Sequence, residues 1–202
     1  MSTPLKFETP DNGEETARAD LYGLLATLYA APPSQALLDT IGSAAAEGEG
    51  ILQQAWADLV KACRGARAEA LSTEYDSLFI GVGKPEVLLY GSYYLAGFLM
   101  EKPLAELRAD LARLGLERAD DISEPEDHIA MLFEVMRYLI ASQDIEHASI
   151  PTQQAFFSTH IAPWAAQLFD AIDTHRHAAF YATVTRLARA FIDVETQAFD
   201  MA

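Results

Sequence analysis

The stretch ISEPEDHIAMLFEVM, residues 122–136, crowds three carboxylates, a proline and a histidine into five positions and then turns apolar. Its second half decides the fold class. Ile129, Leu132, Phe133, Met136, Leu139 and Ile140 recur every three or four residues, as on one face of a helix. Its first half reads as the start of that helix. Ser123 and Glu126 have the spacing of a capping box, in which each side chain satisfies a backbone N–H of the other residue. Pro125 suits a first turn, where its missing N–H costs nothing. Glu124, Glu126 and Asp127 would face the positive end of the helix dipole. The expected helix therefore starts within two residues of Ser123 and runs to about residue 143.

The same periodicity extends along the chain. Leu21, Leu24, Leu25 and Leu28 mark a helix over residues 14–30, which Pro32 and Pro33 stop and after which Ser34 can cap the next. Gly48 and Gly50 separate that second helix from a third, ILQQAWADLVKAC, and a fourth, ARAEALSTEYDSLF, ends near Gly81. Residues 81–97, GVGKPEVLLYGSYYLAG, lack a helical period until their end. We read them as an ordered apolar loop leading into a short helix, because one isolated strand has nothing to pair with. Lys102 and Pro103 open a helix with Leu104, Leu107, Leu111 and Leu114 on one face, ending at Gly115. Helices over 152–161, 163–172 and 175–200 complete the chain. The expectation is an all-α bundle of about eight to ten helices in one domain. Its N-terminal part spans 14–118, an acidic hinge 119–125, and its C-terminal helices 126–200.

Bulk properties narrow the function. With 30 acidic against 14 basic residues, the formal net charge of -16 repels phosphate backbones and favours basic peptides. Nucleic acid is not an expected partner. The N-terminal residues lack a basic segment followed by an apolar one, so no secretory signal is read there. The uncharged run VLLYGSYYLAGFLM, residues 87–100, is too short to span a bilayer and fits a buried segment. A soluble cytoplasmic protein is expected. Cys63 is the lone cysteine, which leaves no disulfide framework and fits a small core residue. A carboxylate-bridged di-iron bundle needs two Glu-x-x-His motifs and two further Glu. The nearest match, Asp144-Ile-Glu-His147, has Asp in the first place and no second motif exists, so no metal or other cofactor is expected. No Gly-x-Ser-x-Gly elbow occurs, and Gly81-Val-Gly-Lys84 has Pro85 where a phosphate loop needs Ser or Thr.

Three stretches carry a family resemblance. Glu124-Pro125-x-Asp127-His128, Glu74-Tyr75-x-x-Leu78-Phe79, and Pro85 followed by Ser92-x-Tyr94 resemble, in order and spacing, the motifs of the TorD/DmsD redox-enzyme maturation chaperones, related to the NarJ group. His160-Ile-x-Pro-Trp164, Phe180-Tyr181 and Phe191 are similar to the family's C-terminal helices. The resemblance covers roughly residues 15–200. It implies an all-α chaperone, dimeric by helix exchange in some members, and not an enzyme. The implied partner is a molybdenum-cofactor oxidoreductase. The chaperone would bind that enzyme's twin-arginine signal peptide in the cytoplasm, hold back export and assist cofactor insertion. The candidate peptide-binding residues are Tyr75, Leu78, Phe79, Pro85, Ser92, Tyr94, Glu124, Pro125, Asp127 and His128. Ordinary core packing is the competing role for Tyr75 and Phe79, as for Trp56 and Trp164. Two carboxylates beside His128 are expected to raise its proton affinity. A helical di-iron enzyme, and a general adaptor for an amphipathic helix, are the alternatives.

Overall fold

Apolar spacing places the helices of the computed structural model, which describes residues 12–119, 122 and 124–201. Helix α1 (Asn12–Ala30) buries Tyr22, Leu25, Leu28 and Tyr29 completely. After Pro32 and Pro33, the Ser34 hydroxyl accepts the Leu37 N–H at 3.2 Å and starts α2 (Gln35–Ser43). Helix α3 (Ile51–Cys63) follows the two glycines, and Cys63 is buried, which pushes its thiol up to about 11. Helix α4 (Ala68–Tyr75) widens into a π-helical turn (Asp76–Ile80). Gly81 then turns the chain with φ 67°, where a Cβ would stand 1.9 Å from the Lys84 carbonyl oxygen. The remaining helices are α5 (Gly91–Ala96), α6 (Lys102–Arg113), α7 (Ile129–Ala141), α8 (Ile150–His160), α9 (Ala162–Asp173) and α10 (Phe180–Asp200). No strand of more than one bridging pair occurs among the described residues, so the chain is all-α as read. Among the described residues, no helix is long and apolar enough to cross a membrane.

Elements from both sides of residues 119–125 interleave. Helix α1 packs most extensively on α7, and α10 packs on α3 and α9. The rings of Tyr22, Tyr29, Phe133 and Phe191 meet at centroid distances of 4.7–6.3 Å. A polar clamp ties α1 to α10 beside them. Arg18 donates to both oxygens of buried Glu195 at 2.8 Å, and the Tyr22 hydroxyl donates to the same carboxylate at 3.0 Å. A buried charge pair is tolerable where hydrogen bonds satisfy it in this way.

Two helix starts differ from the sequence reading. Helix α7 begins at Ile129, not near 123, and its N-cap is His128. Ser123 lies outside the described residues. Its expected box partner Glu126 instead binds Arg108, with Oε2 2.8 and 3.0 Å from two guanidinium nitrogens, and approaches Arg118 at 3.6 Å. Helix α10 begins at Phe180 rather than 175. The cause is remote in sequence: the Glu74 carboxylate accepts the N–H groups of Ala179, Phe180 and Tyr181 at 2.8–3.2 Å.

Candidate functional site

The loop before α5 is pinned at both ends. The Leu78 carbonyl accepts the N–H groups of Glu86 and Val87 at 3.1 and 2.9 Å. Further on, the Leu89 carbonyl accepts the Ile129 N–H at 2.8 Å and the Asp127 carbonyl accepts the Gly91 N–H at 2.9 Å. The result is an isolated antiparallel bridge between Tyr90 and His128. This bridge keeps residue 128 extended and explains the late start of α7.

Each residue of the 124–128 motif then has a distinct neighbour. Glu124 is exposed and accepts a hydrogen bond from the Tyr90 hydroxyl. Half-buried Pro125 accepts the His128 N–H at its carbonyl. Burial opposes the charge on Glu126, but the Arg108 hydrogen bonds and Arg118 outweigh it and hold the carboxyl below its usual range. Asp127 is only 4% exposed, and its Oδ2 accepts the Ser92 N–H at 2.8 Å, at the start of α5. Ser92 is itself fully buried, and its hydroxyl accepts the Met100 N–H at 3.2 Å. His128 Nδ1 accepts the Ala130 N–H at 3.1 Å, which leaves the ring neutral with its proton on Nε2. Burial pushes the His128 pKa down to about 4, against the pull of Glu124 and Asp127. The expected rise in proton affinity is therefore reversed, because desolvation outweighs the two carboxylates.

The 74–79 motif lies elsewhere. Tyr75, Leu78 and Phe79 are buried. Tyr75 donates to the carbonyls of Tyr29 and Ala30 at 3.1 Å, closing the C-terminus of α1, and burial pushes its hydroxyl up to about 12. The Phe79 ring stands edge-on to Tyr75 at 5.1 Å and to Tyr181 at 5.0 Å. These three side chains offer a peptide no surface. Pro85 is half-buried in the loop. Tyr94 is half-buried, stacks on Trp164 at 5.5 Å and donates to the Leu88 carbonyl at 2.9 Å.

Asp127, Ser92 and Trp164 are brought together around a cleft of about 270 Å3, which Leu95, Pro103, Glu106, Leu107, Leu132, Thr159 and His160 also line. Asp127 Oδ1 has no hydrogen-bond partner among the described residues. His160 Nε2 meets Asp110 Oδ2 at 2.7 Å, and the Trp164 indole donates to the His160 carbonyl at 2.7 Å. Gly91 permits this packing, since a Cβ there would come 3.0 Å from the Trp164 nitrogen. Glu126, next in sequence to Asp127, lines a second groove of about 250 Å3 with Leu111, Met131, Val135 and Tyr138. The motif is thus a wall between two concavities.

The run 87–100, read as a buried segment, is divided. Val87 and Leu89 are buried, but Tyr93, Leu95, Phe98, Leu99 and Met100 are exposed. Helix α5 has six residues, too few to bury both faces, and Gly97 ends it with φ 83°. Glu106 was not singled out in the sequence, and His160 entered only through the family resemblance of residues 160–164. Gly97, inside an uncharged run, was the available signal for an abrupt turn.

Comparison with known proteins agrees with this architecture. A family model described as "Nitrate reductase delta subunit" matches residues 47–170. A protein of Vibrio cholerae serotype O1 named "Chaperone protein TorD" is 28% identical over 137 residues, 64% of this chain and 62% of the relative. The chain thus aligns with less than two thirds of that relative's length. A Vibrio atlanticus protein of the same name is 30% identical over 203 residues, 89% of this chain and 93% of the relative. The fold is similar to the crystal structure of a putative redox enzyme maturation protein from Archaeoglobus fulgidus, with TM-score 0.57 and 20% identity over 96% of this chain and 98% of that one. The family model covers more than half of the chain and the Vibrio atlanticus relative nearly all of it, so this chain belongs to the TorD and nitrate reductase delta-subunit family that its motifs resemble.

Proposed function

We propose that the chain is a cytoplasmic chaperone, not an enzyme, for a molybdenum-cofactor oxidoreductase. It binds the twin-arginine signal peptide of that client, holds back export and assists cofactor insertion. The observation that carries this reading is the Asp127 cleft, where a largely buried carboxylate with no cation partner among the described residues lies beside exposed apolar side chains. A twin-arginine peptide has the matching chemistry, basic at one end and apolar in the middle. The relatives' name, chaperone, supports the same assignment. In this reading Asp127 meets an arginine, and Glu124, Pro125 and His128 fix the wall that presents it. Tyr75, Leu78 and Phe79 act through the core.

Apolar burial contributes about 1.5–3 kcal/mol for each buried leucine, and an ion pair at the largely buried Asp127 is only weakly screened by salt. Charge sets orientation and on-rate. The test is calorimetric titration of the chain with a synthetic twin-arginine peptide at two salt concentrations. Binding that falls only modestly with salt is expected. No binding at either concentration would sink the proposal.

A further inference from the structure

We propose that the groove between α1 and α3 is closed by a segment of this same chain, with Leu5 and Phe7 seated against Trp56 and the leucines around it. The inference goes beyond the client-binding reading above and does not depend on it. The groove has a volume of about 410 Å3. Leu21 and Leu24 of α1, Leu52 and Trp56 of α3 and Leu187 of α10 line it, with exposed Asp20 at its rim. Leu187 is fully buried, but the other four apolar side chains are only half-buried. An apolar surface of that kind, rimmed by a charge, marks a place where something docks.

The groove follows from how the helices pack. Helix α1 packs on α7 and α3 packs on α10, but α1 and α3 are not among the extensively packed pairs. Leu187 of α10 therefore meets a gap between them. The α3 wall of the gap is fixed and has not collapsed over its floor. The Trp56 indole donates to the Ala45 carbonyl at 2.8 Å, which orients the ring. Its polar atom is satisfied, so the ring surface left over suits another apolar group. Gln53 folds back on the turn before α3, where a Cβ on Gly50 would stand 2.6 Å from its Oε1.

Position and chemistry select the occupant. Residues 1–11 lie outside the described residues and join α1 at Asn12. Asp20 and Leu24 stand about 12 and 18 Å along the helix from there. An extended chain spans up to about 17 Å from Phe7 to Asn12, and up to about 24 Å from Leu5. Both side chains reach the groove once the chain reverses, and Pro10 and Asp11 are residue types that favour a reversal. Leu5 and Phe7 are two apart, so an extended segment puts both on one side and Lys6 on the other. Lys6 is the one base before Arg18 in the sequence. Asp20 has no cation within ion-pair distance among the described residues. A lysine at the rim beside two apolar anchors matches both features of the groove. A second copy of this chain, with net charge -16, would bring like charge to Asp20.

The experiment incorporates fluorotryptophan into the full chain and follows the fluorine resonances of its two tryptophans, with Trp56→Phe assigning one of them. Trp164 is fully buried and serves as the internal reference. Phe7→Ser and Leu5→Ser should each move the Trp56 resonance and leave that of Trp164 in place. Ser2→Ala should move neither. The thermal midpoint of Phe7→Ser should fall by about 2–4 °C, the loss for one partly buried ring in a chain of this length. A Trp56 resonance that is the same in the parent, Phe7→Ser and Leu5→Ser would overturn the inference. So would an equal displacement by Ser2→Ala, because the two apolar anchors would then have no special part. A Trp56 resonance that moves on dilution of the parent, and moves alike in Phe7→Ser, would assign the groove to a second copy and overturn it too. No client peptide enters these measurements, so their failure leaves the chaperone reading standing.

Discussion

Tyr75, Leu78 and Phe79 inside the core, with half-buried Glu74 at its edge, hold three chain segments together, whereas residues 124–128 stand as a wall with a concavity on each side. Glu74 caps α10, Tyr75 closes α1, and the Leu78 carbonyl anchors the loop that follows. Asp127 and His128 also cap helices, α5 and α7, but Asp127 in addition lines a cleft. Two short motifs that each open on a glutamate thus differ in what remains after structural demands are met. Nothing remains for the first. The second retains a carboxylate in a cleft, with exposed apolar side chains beside it. Burial, not residue type, separates a joint from a site.

The largest expected effect is at Phe79. Phe79→Ala would open a cavity among Tyr29, Tyr75 and Tyr181 and cost about 3–5 kcal/mol. Urea unfolding measures the loss. The folded fraction should bind peptide as the parent does, and a folded variant that does not bind would make the aromatic motif part of the site.

Next is the pH response of His128. Its folded pKa of about 4 lies below the unfolded value near 6.5, so the unfolded chain takes up the proton first. The stability supplied by neutral His128 is present in full above pH 6.5. It falls as the pH drops through the window to 4, by about 3 kcal/mol in total. His128→Asn keeps a capping oxygen and should flatten that part of the profile. Equal slopes in parent and variant between pH 6.5 and 4 would show that the ring is not held neutral.

Asp127 follows, and it separates the two duties of one side chain. Asp127→Ala leaves the Ser92 N–H without its acceptor, at a cost of about 1–3 kcal/mol, and should loosen the start of α5. Asp127→Asn keeps an acceptor and loses the charge. Its stability should stay close to the parent, while binding of a twin-arginine peptide weakens and becomes less salt-dependent. Binding by Asp127→Asn equal to that of the parent would mean that the carboxylate acts only as a cap.

These contrasts show which features could be read from the chain. The helices were legible because Leu104, Leu107 and Leu111, or Leu132, Phe133 and Met136, follow a local period that burial obeys. The start of α10 was not, because its cap is Glu74, more than a hundred residues away. The start of α7 misled for a related reason. Residues 122–128 read as a sound local capping signal, but Tyr90 pairs with His128 from outside and holds that residue extended. The motif marked the region of the candidate site. It could not show that Asp127 and Glu126 face opposite concavities, since that depends on where α6 and α9 pack. Composition alone could not separate the exposed end of the 87–100 run from its buried start, because an uncharged run looks uniform until Gly97 and Met100 turn it outward.

The smallest expected effect is at Glu126, and it sharpens the comparison most closely, because only one peptide bond separates this residue from Asp127. Glu126 binds Arg108, which is more than half exposed, and an ion pair of that kind contributes about 0–1 kcal/mol. Glu126→Gln retains an oxygen for the guanidinium, so urea unfolding should shift by less than about 1 kcal/mol. Binding of a twin-arginine peptide should not change, because the carboxylate lines the groove behind the wall and is already neutralised by Arg108 and Arg118. Added salt should weaken the Arg108 pair and make parent and variant still more alike. A tenfold loss of peptide affinity in Glu126→Gln, with stability intact, would contradict this. It would mean that the peptide crosses from one concavity to the other, and that residues 124–128 are the floor of one long site.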